Sequence, residues 1–147
     1  MLAGTFAGER SPARVYSPLV GLDLASTGSA RAELPLDPAF EYAAMTLEGA
    51  PTVDGEALAP GTLLYLGAGR SAFAIASTAA SRLLLIGGEP FGEDILLWWN
   101  FVARTREEME TATRDWNEGR RFGTVQGARA APLLAPDIGM LRLRGAP

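Results

Sequence analysis

The stretch TLLYLGAGRSAFAIASTAASRLLLIGGE, residues 62–89, admits two folds, and choosing between them decides the architecture. In one reading a strand runs into a glycine turn. Gly67, Gly69 and Ala72 then match G-x-G-x-x-A, and Glu89 ends the next apolar run where a ribose-binding acid belongs. That fingerprint needs a helix directly after the turn, because pyrophosphate is held at a helix N-terminus. In the other reading "SAFAIAST" alternates with period two and "SRLLLIGG" is a buried strand. The second reading is favoured. Its segment is rich in Ser, Ala and β-branched residues, and the chain contains too few βαβ units for a doubly wound sheet.

Upstream, the turns are those of antiparallel β structure. "RVYSPLVGLDLA" is rich in Val, Tyr and Leu. In "RAELPLDPAF", Ala32, Leu34 and Leu36 oppose Arg31, Glu33 and Pro35. In "EYAAMTLEG", Tyr42, Ala44 and Thr46 oppose Ala43, Met45 and Leu47. Asp54-Gly55 predicts a hairpin, and Pro60-Gly61 a turn into "TLLYL". Many short runs punctuated by Gly, Pro and Asp predict a sandwich or barrel.

Downstream, "DILLWWNFVA" predicts one more strand, apolar on both faces, with Trp98 and Trp99 on opposite sides. The period then changes. "TREEMETATRDWNEG" predicts a helix with Thr105 as N-cap and Glu108 completing a capping box. Met109, Ala112, Thr113 and Trp116 form its apolar stripe. Glu110 and Arg114 are spaced to pair, and Gly119 suits the C′ position. Residues 124–147 show no period and are expected to form an extended tail.

Composition removes several kinds of chemistry. The chain has 147 residues, no His, no Cys and a net charge of −4. Without imidazole or thiolate, a Ser-His-Asp or Cys-His triad is impossible, and a transition-metal site is hard to build. No metal, cofactor or catalytic residue is therefore expected. Hard cations remain conceivable on Glu41, Glu48, Asp54, Glu56, Glu89, Glu93 and Asp94, but no EF-hand spacing occurs. The acidic balance offers no basic field for nucleic acid. No apolar run reaches the ~20 residues of a membrane span. Absence of Cys fits a cytoplasmic setting.

Two features stand out as site candidates. Glu89 and Pro90 form a backbone-dictated corner after Gly87-Gly88, where the Glu89 carboxylate is expected to clamp nearby backbone N–H groups. Trp98, Trp99 and Trp116 are expected at an interface. One of Trp98 and Trp99 should be covered by the helix, by the tail or by a second chain.

These same residues resemble the C-terminal half of pirins, two-domain proteins of the cupin superfamily. The resemblance rests on Gly88-Glu89-Pro90, Phe101-Val102, Thr105-Arg106-Glu107-Glu108 and Arg121-Phe122-Gly123, and it covers roughly residues 8–123. Two departures are Ala103-Arg104 before the helix and Trp99-Asn100 before Phe-Val. The resemblance implies a mainly β, single cupin-type jelly-roll barrel or sandwich over residues 1–123, ending in one α-helix. It implies that iron belongs to the other half of a pirin, on histidines and a glutamate, and that no metal ligand carries over to this chain. The expected role is a metal-free interaction module whose partner is a second copy or an N-terminal pirin-type cupin. The alternatives are the non-catalytic half of a pirin-type quercetin 2,3-dioxygenase, and a small-molecule binder whose interior Met45, Leu64, Leu66 and Phe73 would line.

Overall fold

The computed structural model describes residues 1–144, which divide into two compact units, Met1–Pro90 and a second beginning at Phe91. Ten strands build the first unit: β1 (Ala3–Phe6), β2 (Glu9–Arg10), β3 (Leu19–Ser26), β4 (Ala30–Pro35), β5 (Glu41–Glu48), β6 (Thr52–Val53), β7 (Glu56–Ala57), β8 (Leu63–Gly67), β9 (Ala72–Ser77) and β10 (Ser81–Gly88). The second unit holds β11 (Leu96–Trp98), β12 (Phe101–Ala103) and α1 (Arg106–Asn117). All pairings are antiparallel.

The first unit is a two-sheet sandwich. One sheet runs β2-β1-β3-β10-β5-β8 and the other β4-β9-β6-β7. Alternation along the strands explains the core. Val20, Leu22, Tyr42, Ala44, Leu66, Leu83 and Leu85 from the larger sheet meet Val53 and Phe73 from the smaller one. Of the two opposed faces of β5, that of Tyr42, Ala44 and Thr46 is the buried one. Each fully covered Leu or Phe contributes roughly 1.5–3 kcal/mol by removing apolar area from water.

The turns obey the local chemistry. Asp54 and Gly55 both take positive φ between β6 and β7, the two-residue hairpin that Asp-Gly favours. Thr62 N–H donates to the Ala59 carbonyl across Pro60-Gly61, with Gly61 at φ +77°. The turn at Gly67 and Gly69 leads into strand β9 and not into a helix, so the dinucleotide reading fails. An N-terminal hairpin, β1–β2, went unforeseen. It turns on Ala7 and Gly8, both at positive φ. Strand β3 begins only at Leu19, because Pro18 has no N–H to give a ladder.

In the second unit one expectation is corrected. "ILLWWNFV" is not one strand but a hairpin: Trp98 pairs with Phe101 across a two-residue turn at Trp99-Asn100. Such a turn needs positive φ at its first residue, and Trp99 supplies φ +51°. The helix behaves as its sequence predicts. Thr105 Oγ1 accepts from Glu108 N–H at 3.2 Å, and Glu108 reaches back to Arg104 N–H at 2.9 Å, one residue before the usual capping-box partner. Gly119 closes the helix at φ +68°, with Gly119 N–H on the Trp116 carbonyl and Arg120 N–H on the Asp115 carbonyl, the Schellman pattern. The expected Glu110–Arg114 pair is replaced by Arg106–Glu110 at 2.7 Å, while Arg114 turns to the Thr111 hydroxyl.

Between Gly123 and Arg144 the chain has no regular structure but is anchored to the helix. Trp116 Nε1–H donates to the Leu133 carbonyl at 2.8 Å. The Asn117 amide accepts from Ala135 N–H and donates to its carbonyl, at 2.8 and 3.1 Å. Arg106 donates to the carbonyls of Gly139 and Leu141. Ala135 and Ile138 are thereby buried beside Phe101, Met109 and Ala112, forming a second core. Residues 145–147 of the expected tail lie outside the described residues.

Candidate functional site

The sequence singled out a corner and three tryptophans, and the structure assigns them to different units. Glu89 and Pro90 end the first unit; the tryptophans belong to the second. The two glycines before the corner have a packing reason. Tyr42 lies over Gly87, so closely that a Cβ built there would stand 2.6 Å from Tyr42 Cε1 and 2.8 Å from the Glu41 carbonyl oxygen. The Tyr42 hydroxyl is fixed in turn by the backbone of Asp37, accepting from its N–H at 2.9 Å and donating to its carbonyl at 3.3 Å. Glu89 fixes the corner through its backbone, N–H to the Pro18 carbonyl at 3.1 Å. Its side chain is exposed and holds no hydrogen bond among the described residues. The expected carboxylate clamp is therefore a main-chain clamp.

In the second unit Trp99 stands edge-on to Phe101 and to Trp116, with ring centres 5.4 and 5.5 Å apart. Phe122 closes the group at 5.6 Å from Phe101 and 5.7 Å from Trp116, and the Arg121 guanidinium caps its outer side at 4.5 Å. Trp98 packs half-buried against the same core. The tryptophans therefore share one core with the helix and tail. What the hairpin leaves bare is its opposite face, where the cross-strand partners Leu97 and Val102 are both exposed.

A larger uncovered surface lies on the first unit, and sequence reasoning missed it. The outer face of the six-stranded sheet carries two apolar rows in register: Ile86, Ala43 and Tyr65, then Leu84, Met45 and Leu63. Tyr65, Leu63 and Ile86 are 64%, 53% and 43% exposed. Met45, expected in the interior, belongs to this outer face. Of the other expected interior residues, Leu66 and Phe73 fill the core and Leu64 packs against it. Polar pairs edge the rows. Arg82 holds Asp23 through two bonds of 2.9 and 2.6 Å, and the Tyr65 hydroxyl donates to Glu41 at 2.8 Å. The hydrogen bond from Arg82 holds the Asp23 carboxyl below its usual range, outweighing the opposing effect of desolvation. The signal was present in the sequence: "RLLLI" and "AAMTL" are apolar at both parities, although only one face can meet the core.

The donor set does not suit a redox metal. The chain has neither His nor Cys, and among the described residues no three carboxylates converge. No helix of the described residues is long and apolar enough to cross a membrane.

Residues 21–123 match the family model described as the Pirin C-terminal cupin domain. The chain belongs to the pirin family. Among relatives, this pirin domain is 44% identical over 139 residues to a Pseudomonas aeruginosa protein named "Putative quercetin 2,3-dioxygenase", covering 94% of this chain and 44% of that one. A "Pirin-like protein" of Caulobacter vibrioides is 32% identical over 124 residues, 82% of this chain and 41% of that protein. Among solved structures, a quercetin 2,3-dioxygenase from Acinetobacter baumannii superposes with a TM-score of 0.85 at 40% identity, covering 97% of this chain and 48% of that chain. The pirin domain thus spans less than half the length of these relatives. The mainly β, cupin-type expectation holds, as does the assignment to the C-terminal half.

Proposed function

We propose that this chain is a non-catalytic cupin module that docks, through the outer face of its six-stranded sheet, on the N-terminal cupin half of a pirin-type protein. The observation that carries the reading is the pair of apolar rows on that face, rimmed by the Asp23–Arg82 and Glu41–Tyr65 pairs. An apolar centre with a polar rim is the anatomy of a protein interface, and monomers seldom leave a contiguous apolar patch bare. The length of the relatives supports this choice of occupant. They are more than twice as long as this chain, and the matched family model describes a C-terminal cupin, which presupposes an N-terminal one.

The names of the relatives extend the reading to activity. Flavonol oxidation needs a redox metal to handle O₂, and a chain without imidazole or thiolate supplies no fitting ligand set. In this reading the chain supports such a reaction structurally while its partner half holds the metal. A cytoplasmic setting accords with the absence of cysteine.

The test mixes this chain with a histidine-bearing N-terminal pirin half and follows association by sedimentation velocity. Wild type should form a one-to-one complex, and a Leu63→Glu/Ile86→Lys double variant should not. Quercetin-dependent oxygen uptake with added Fe²⁺ should be absent from this chain alone. Self-association abolished by the same substitutions would replace the partner half with a second copy. Indifference of all association to these positions would remove the face from consideration.

A further inference from the structure

At one end of the first unit's sandwich the inward positions change character. Along the middle they carry Leu22, Leu83, Leu85 and Phe73. Beyond, in register, they carry Ser26 and Ser81 on one sheet, and Ala30, Ala32 and Ser77 on the other. The two sheets cannot fill the space between them with such side chains. A cleft of about 160 Å³ remains, with Leu24, Ala32, Leu34 and Ile75 on its apolar side and Ser26, Ser77 and Ser81 on the other.

The three hydroxyls form a directed chain. Ser77 Oγ–H donates to the Gly28 carbonyl at 3.3 Å. Ser26 Oγ lies 3.1 Å from Ser77 Oγ and 3.1 Å from Ser81 Oγ. A hydroxyl has one proton. The Ser77 proton is used on Gly28, so Ser26 must donate to Ser77, and Ser81 must donate to Ser26. The Ser81 oxygen is left at the head of the chain, accepting no hydrogen bond among the described residues, in a residue only 9% exposed. Hydrogen-bond chains polarise each member, so this head oxygen is a better acceptor than an isolated serine.

We infer that the cleft binds a single-ring phenol, or an alcohol of similar size, whose hydroxyl donates to Ser81 Oγ while its ring lies against Leu24, Leu34 and Ile75. The volume suits one aromatic ring: a cavity of about 150 Å³ lined by aliphatic side chains takes up benzene. The polarity suits a neutral donor. Arg31 stands at the rim and no carboxylate lines the cleft, so a cationic ring gains nothing there. The site is internal to the first unit and is independent of what the outer sheet face binds.

Phenol and toluene, equal in shape, separate the hydroxyl from the ring. Each is titrated into the full chain and followed by amide chemical shifts. Phenol should saturate in the millimolar range, about five- to ten-fold more tightly than toluene, as one added hydrogen bond allows. The shifts should centre on residues 24–34 and 75–81. Ser81→Ala should reduce phenol binding to the toluene level. Ala32→Leu, which fills the cleft and keeps the hydroxyls, should weaken both, with unfolding midpoints of both variants measured alongside. Equal binding of phenol and toluene to the wild type, shifts centred elsewhere, or no saturable binding overturns the inference; the wild-type comparison decides even where a variant unfolds.

Discussion

At the scale of single residues, Gly87 and Tyr42 act as one unit. The ring occupies the space that a side chain at position 87 would need, and the hydroxyl is locked to the Asp37 backbone. Gly87→Ala forces the ring or the β5 backbone to move, and should destabilise the protein by about 1–3 kcal/mol in urea unfolding, the usual cost of overpacking a core. The same tyrosine sets a pH dependence. Burial raises its pKa above the ordinary value, more than the hydrogen bond from the Asp37 backbone lowers it. The folded state therefore keeps this proton at pH values where the unfolded chain has lost it. Its contribution is complete below the unfolded tyrosine pKa of ~10 and is lost as pH rises through the higher folded value. Unfolding free energy measured from pH 9 upward should fall with pH, and Tyr42→Phe should flatten that fall while lowering neutral-pH stability by about 1 kcal/mol. A residual slope belongs to Tyr65, whose pKa is raised by its hydrogen bond to Glu41.

At the scale of elements, the helix is the part whose limits follow from local chemistry. Thr105 accepts from Glu108 N–H, and Thr105→Ala should cost about 1 kcal/mol, read as a lower midpoint in thermal unfolding followed by tryptophan fluorescence. This is why α1 was legible from sequence: its cap, apolar stripe and closing glycine all lie within fifteen consecutive residues. The strands β5, β8, β9 and β10 were legible for a related reason, since their alternation and their Gly and Pro turns are local too. The β11–β12 hairpin was not. Its turn places Trp99 at φ +51°, a conformation that costs a bulky residue roughly 1–3 kcal/mol and that no turn rule assigns to Trp-Asn. Contacts from Phe101 and from Trp116, seventeen residues along, hold it there, and the second exists only once the helix has docked. The candidate surface was hidden differently. The sequence shows that β5 and β10 are apolar on both faces, but only the sheet order brings Ile86, Ala43 and Tyr65 into one row.

At the scale of the whole molecule, two separate cores stand in one chain, and nature has distributed the fluorophores between them. Trp98, Trp99 and Trp116 all lie beyond Phe91, while Tyr16, Tyr42 and Tyr65 all lie before Pro90. The second core depends on a segment with no secondary structure of its own. Ile138, 2% exposed, is packed with Met109 and Phe101, and the stretch around it is tied to the helix through Asn117 and Arg106. Removing the Ile138 side chain leaves a cavity and strips cover from the helix stripe, so Ile138→Ala should cost about 2–4 kcal/mol in the second unit. Because Ile138 belongs to that core alone, the cost should be uneven. Urea unfolding detected by tryptophan emission should shift to lower denaturant, while the transition detected by far-ultraviolet β-sheet signal should stay near its wild-type midpoint. Non-coincident probes are the mark of a chain that does not unfold as one unit. If both probes shift together by the same amount, the two cores unfold as a single cooperative body and the division at Pro90 has no energetic meaning.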